Sequence, residues 1–353
     1  MTRTAPCLIR LFAPLLLVSW LGASAQADTL VLSPGDDLQA AIDAAQPDDI
    51  LQLLPGEYLG DFDLGGQQVR IVGSAGHSVL RGTGEGPVVR IENGETPLTV
   101  LDGLTITGGA ASQGGGVRIN GASPTIVRCR ILGNQASSQG SGVWIGGGSE
   151  ALLFNNVIAY NTRSGPGDPH GVQIVAASPA LINNTIVRHD SNGILISGSS
   201  SAAIIQQNLL AWNGSLVGGE VRGRGICDFS SGSSWIVAND FHRNRRSALL
   251  RGGKDWKRIQ AFEKKNPDDA QVFGNVDGRP GTLRSPPKTL DALHAFDLIV
   301  GDHRKGSAID AGVDDTDNRD LDGSRNSIGH GGGPFAPGSL QTPTPADALP
   351  PTP

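Results

Sequence analysis

Lysine is missing from the first 253 residues of this chain; all six lysines lie at or after Lys254. Aromatic residues make up 5% of the sequence and charged residues 18%. Cysteine is as scarce: beyond residue 27 only Cys129 and Cys227 remain, too few for a disulfide framework in a chain this long. After Leu21 no apolar run approaches the roughly 20 residues that span a bilayer, so a transmembrane segment is excluded there. Zinc, phosphate-loop and serine-hydrolase signatures are absent. Basic charge is short too. Without the first 27 residues, 26 basic side chains face 34 acidic ones, a net charge of −8. That balance argues against nucleic acid as a partner, which would require a basic face.

Glycine is abundant, with 50 residues in 353, beside 22 prolines. Each glycine costs roughly 1 kcal/mol in a helix interior. The composition therefore opposes a helical globule and fits short strands joined by turns. At the N-terminus, Arg3 and Arg10 flank the start of an apolar run from Leu11 to Leu21, followed by Ala23-Ser24-Ala25 and Ala25-Gln26-Ala27. This is the pattern of a secretory signal peptide over residues 1–27. The chain is expected to be exported, to the periplasm or beyond the cell.

Short blocks recur every 22–33 residues. One runs Pro124-Thr125-Ile126-Val127-Arg128-Cys129-Arg130-Ile131, closed by Gly133-Asn134, with copies at Leu153 to Asn161, Leu181 to His189, Ile205 to Asn213 and Ile236 to Asn244. A second block follows each copy, as in Gly114-Gly115-Gly116-Val117-Arg118-Ile119 and Gly140-Ser141-Gly142-Val143-Trp144-Ile145. Glycine turns followed by alternating apolar residues read as short strands with one face inward. A fixed period in this range, made of strands, predicts a β-solenoid whose coils stack about 4.8 Å apart. One column is polar: Leu104, Cys129, Asn156, Asn184, Asn208 and Asn239 align between inward apolar residues. Stacked asparagines there would bond coil to coil, since buried polar groups need partners. The same register turns Asn183 outward. It also puts Cys129 inward and Cys227 outward, three coils apart and beyond disulfide reach, leaving Cys227 the more reactive thiol.

These features resemble the right-handed parallel β-helix proteins of the pectate-lyase-like superfamily. Asp36 to Ala45 reads as their short N-terminal capping helix and Asp49 to Tyr58 as the first coil strand. Lys254 to Lys265 reads as a second short amphipathic helix. Further on, Gly306-Ser307-Ala308-Ile309-Asp310-Ala311-Gly312 and Asp320-Leu321-Asp322-Gly323 are similar to the closing series of many exported β-helix proteins. The expected organisation is a signal peptide at 1–27, a β-helix with its cap at 28–252, a C-terminal cap region with an acidic loop at 253–335, and a Pro/Thr-rich disordered tail at 336–353.

For lyases of this fold the resemblance implies Ca²⁺ on clustered carboxylates and an Arg or Lys base. The coils carry few acids and no lysine. Three constellations remain. Asp168-Pro169-His170 precedes a strand and Arg188-His189-Asp190 ends the next one, which brings both histidines to one turn as an acid/base set. Asp168-Pro169-His170 also resembles the start of the Asp-Pro-His-Asp motif of β-helical mannuronan epimerases, with Gly171 in place of the last Asp. Arg118, Trp144 and Gln173 form an outward stripe suited to sugar rings and hydroxyls. Asp314, Asn318, Asp320 and Asp322 match the opening of a calcium loop without its closing Glu. The expected function is an exported β-helix that binds a polysaccharide or cell-surface glycan without a clear catalytic site. The alternative is a uronate lyase or C5-epimerase with a degenerate site.

Overall fold

The computed structural model describes residues 27–74, 77–217, 219–231 and 233–278. Among these the chain is a right-handed parallel β-helix with two short helices. Three long sheets run along the axis. Sheet A has ten strands, from Thr29–Leu32 to Val272–Phe273; sheet B has eight, from Gly56–Leu59 to Asp240–His242; sheet C has nine. A three-stranded sheet D (Ala110–Gln113, Gln135–Gln139, Thr162–Arg163) lies on the connection from B to C.

The coil is dictated by triplets whose middle residue is apolar and faces inward. In sheet A, Ile71, Leu101, Ile126, Leu153, Leu181, Ile205 and Ile236 lie in register and are fully buried. Sheet C contributes pairs such as Val117/Ile119, Val143/Ile145 and Val172/Ile174. Each coil thus covers the apolar floor of the next, and one continuous core fills the tube.

Two sharp bends per coil join A to B and B to the C-bound connection. The residue at each bend has left-handed φ. At the first bend these are Arg128 (53°), Asn155 (55°), Asn183 (54°), Gln207 (56°) and Ala238 (53°). At the second they are Gly133 (64°), Tyr160 (55°), Arg188 (61°), Trp212 (52°) and Arg243 (49°). Such a φ costs an L-residue roughly 1–2 kcal/mol. The position that follows each bend compensates. After the first, the backbone N–H groups of Cys129, Asn156, Asn184, Asn208 and Asn239 donate to Oδ1 of the asparagine one coil on, at 2.8–3.0 Å, ending at Asn275. Side-chain Nδ2 groups donate back to strand carbonyls, as Asn184 does to Leu153 at 2.9 Å. After the second bend, Asn134, Asn161, Asn213 and Asn244 make a second such column.

Several details differ from the sequence reading. The cap helix is Leu38–Ala44, N-capped by Asp37, which accepts from Ala40 N at 2.9 Å. A strand precedes it, Thr29–Leu32, and the expected first coil strand is two strands, Ile50–Leu53 and Gly56–Leu59. The second helix is shorter, Ile259–Lys265, because Lys254–Trp256 turns back as an antiparallel strand on sheet C. The parallel stack also continues past residue 252: Val272–Phe273 pairs with Ile236–Val237. Asn183 is not on the surface; as the bend residue it is buried. The signal peptide, the acidic loop and the Pro/Thr-rich tail lie outside the described residues.

Asn184→Leu should strand the Asn156 amide and the Leu153 carbonyl. At about 1–3 kcal/mol per stranded group, a loss of about 3 kcal/mol is expected in urea unfolding. Asn155→Gly should leave stability unchanged or raise it by up to about 1 kcal/mol, because glycine is at ease at φ 55°. Equal losses for the two variants would show that the amide column is not what holds the bend.

Candidate functional site

His170 and His189 do border the same turn, between sheets B and C, but both are buried. His189 occupies the second amide column. Its Nε2 lies 3.0 Å from Ile158 O, where an asparagine Nδ2 would donate, and its Nδ1 lies 3.3 Å from Asn161 O. Its backbone N–H donates to Asn213 Oδ1 at 3.2 Å, as any column member would. The imidazole fills the space over Gly171: an added Cβ there would fall 2.2 Å from His189 Cδ2. An aspartate at 171, which would complete the epimerase-like motif, therefore has no room.

His170 points its Nδ1 at Ser191 Oγ (2.9 Å) and at the Asn192 amide, which donates at 3.2 Å. An amide donor requires an unprotonated Nδ1, so the proton of the neutral ring sits on Nε2. Burial pushes both histidines down to about 4; Asp168 works against this at His170, as the two backbone carbonyls do at His189.

The remaining members of the expected acid/base set face elsewhere. Asp168 pairs with Arg222 at 3.0 Å. The Asp190 carboxylate accepts from Arg163 N at 3.3 Å. Arg188, a bend residue, sits 5.7 Å over the Trp212 ring. Arg222, Arg224 and Asp255, which stand in no catalytic motif of the sequence, adjoin this turn. Arg224 binds Asp255 through Nε and Nη2 at 2.5 and 3.0 Å, which holds that carboxyl down near 2. Arg222 and Arg224 lie in the insertion between Asn213 and Ile226 that lengthens one coil, and Asp255 lies on the reversed strand Lys254–Trp256.

The expected glycan stripe is in register as read: Arg118, Trp144 and Gln173 are neighbours on sheet C. It is not open, however. Trp144 is 7% exposed and Gln173 4%. The indole lies flat over Gly146 and donates to Gln139 of sheet D at 2.9 Å, while Gln173 Oε1 accepts from Gly140 N at 3.1 Å. Arg118 pairs with Glu92 at 3.0 Å and stacks 5.7 Å from Trp144. Gln139 and Gly140, at the end of a sheet D strand, cover this face at Trp144 and Gln173. The expected calcium ligands Asp314, Asn318, Asp320 and Asp322 lie outside the described residues.

Residues 71–275 match the profile of a family described as periplasmic copper-binding protein (NosD). The chain belongs to that family. Membership in a periplasmic family agrees with an exported protein, and no described helix is long and apolar enough to cross a membrane. No curated protein matches the chain. Among solved structures it is similar to the pectate lyase Pel9A, at 14% identity over 65% of this chain and 67% of that one, with a TM-score of 0.53. It is also similar to the PL6 alginate lyase AlyGC, at 16% identity over 64% of this chain and 33% of that one, with a TM-score of 0.47. The likeness to Pel9A shows the fold.

The family description names copper, and the described residues do not fit it. Copper favours imidazole, thiolate and thioether donors. The His189 nitrogens face carbonyls, and His170 Nδ1 is already bonded. Cys129 belongs to the first amide column and Cys227 to the outer row of sheet C, so the thiols are not neighbours. The one methionine is Met1. Among the described residues no three His, Cys, Asp or Glu side chains converge.

Both histidines are held neutral. Their folded values, near 4, lie below the ordinary 6.5, so their contribution to stability is complete above pH 6.5 and is lost as pH falls towards 4. A loss on the order of 3 kcal/mol per histidine is expected across that window. Asp255 titrates lower and does not contribute there. His189→Asn, which restores the column residue, should remove part of this acid sensitivity, measured as the difference in urea midpoint between pH 7.5 and pH 4.5.

Cys227, expected to be exposed and reactive, is as buried as Cys129; burial pushes the thiols up to about 11 and about 12 respectively. Neither should react with a disulfide reagent in the native protein, and both should react in denaturant.

Proposed function

We propose that this protein is an exported β-helix that binds a polysaccharide or cell-surface glycan without turning it over. The observation that carries this reading is where the ionisable groups of the candidate site are engaged: His189, buried, donates to the Ile158 carbonyl, His170 is held through Nδ1 by Ser191 and Asn192, and Asp168 pairs with Arg222. A general acid or base must reach a substrate proton directly or through one water. Groups engaged in this way serve the scaffold. The glycan class follows from the architecture: straight columns of side chains, one per coil and about 4.8 Å apart, suit a polymer of repeating units. Pel9A, which shares the fold, is a pectate lyase.

The test is a glycan array probed with the mature chain, with and without Ca²⁺, beside turnover assays on pectate and alginate. Binding of at least one polysaccharide is expected, with no rise in the ultraviolet absorbance of unsaturated uronates and no change in uronate configuration. Product formation abolished by His170→Ala would establish a lyase or epimerase instead.

A further inference from the structure

The second bend carries large side chains that the bend itself does not need. Tyr160, Arg188, Trp212 and Arg243 occupy it in four successive coils. They are stacked directly: Tyr160 N donates to Val187 O, Arg188 N to Ala211 O, and Trp212 N to His242 O. All four have left-handed φ, between 49° and 61°. The preceding coil uses Gly133 at φ 64°, so the turn can be made with no side chain at all. A left-handed backbone disfavours any residue with a Cβ; Asn155, Asn183 and Gln207 carry the same φ at the first bend but are buried, whereas the second-bend side chains reach the surface.

The column alternates ring and guanidinium, one step of about 4.8 Å per coil. Arg188 sits 5.7 Å over Trp212, and His242 meets the same indole edge-on with ring centres 5.1 Å apart. Tyr160, Arg188 and Trp212 are partly exposed and Arg243 is exposed, with the exposed Arg245 beside it. Among the described residues the Trp212 indole N–H finds no acceptor. On a chain of net charge −6, this is a local row of cations interleaved with aromatic faces.

We propose that this column binds a linear acidic polysaccharide laid along the helix axis, with sugar rings on Tyr160 and Trp212 and carboxylates on Arg188 and Arg243. Guanidinium groups suit carboxylates because they can donate two parallel hydrogen bonds. The inference rests on the glycan-binding reading above, and it moves the site from the closed face of sheet C to the corner that follows each strand of sheet B.

The experiment measures binding of oligogalacturonate, oligomannuronate, a neutral oligosaccharide of equal length and single-stranded DNA to the mature chain. Wild type should prefer an acidic oligosaccharide, with affinity falling as salt is raised. Arg188→Gly, Trp212→Gly and Arg243→Gly should each weaken it by about tenfold or more, equivalent to about 1.4 kcal/mol. Glycine suits the bend, so circular dichroism should stay that of the wild type; Arg243→Gly disturbs packing least. Unchanged affinity in all three variants, with wild-type binding intact, would overturn the stripe and leave the glycan reading standing. A lowered Tm with unchanged affinity would mean that the side chains only cover the sheet, and would also overturn it. Failure of wild type to bind any acidic oligosaccharide, or a preference for DNA, would overturn the column; binding of the neutral oligosaccharide alone would leave the glycan reading standing, and binding of no oligosaccharide would overturn both.

Discussion

The fold depends on how polar groups are satisfied at corners where water cannot reach. A β-helix buries its bends, and a buried amide without a partner costs about 1–3 kcal/mol. The two columns of stacked side chains meet that need by lending each bend an oxygen from the next coil and returning an N–H to the last. The same device ends in an orderly way. Asn275 donates from both its backbone N–H and its Nδ2 to Glu263 Oε1, so a carboxylate on the helix Ile259–Lys265 stands in for the next asparagine.

That constraint also redefines the histidines. A histidine beside acids in sequence invites a catalytic reading, yet His189 sits where an asparagine would and its ring nitrogens face backbone carbonyls. The family is described by copper, and here an imidazole that could coordinate metal is spent on the scaffold. The groups left near solvent are instead the side chains of the second bend, Tyr160, Arg188, Trp212 and Arg243.

The repeat and its inward parity could be read directly, since each coil needs an apolar middle residue and a glycine turn. Ile126, Leu153 and Leu181 announce themselves this way. The first amide column was legible for the same reason. What defeated the reading was cover supplied by less regular segments. Trp144 and Gln173 have the expected parity, but Gln139 and Gly140 close over them from a connection with no fixed period. Cys227 is likewise outward in register and buried in fact. Val272–Phe273 escaped notice because a helix interrupts the period before it. The second column is the residue that closes each copy of the repeat, Asn134, Asn161, His189, Asn213 and Asn244, but the repeat alone does not reveal its bonds from coil to coil; the candidate calcium ligands lie beyond the described residues.

The direction of one short strand has a further effect. Parallel stacking has no natural length, since every coil offers the next the same open edge, and exposed edges invite other chains. Lys254–Trp256 runs antiparallel against Ser247–Arg251, with the Lys254 ammonium 4.5 Å from the Trp256 ring. A reversed strand cannot hand on the parallel register. Among the described residues, the last edge that sheet C offers therefore runs against the coil rather than continuing it, and a second molecule could not extend the solenoid there in register.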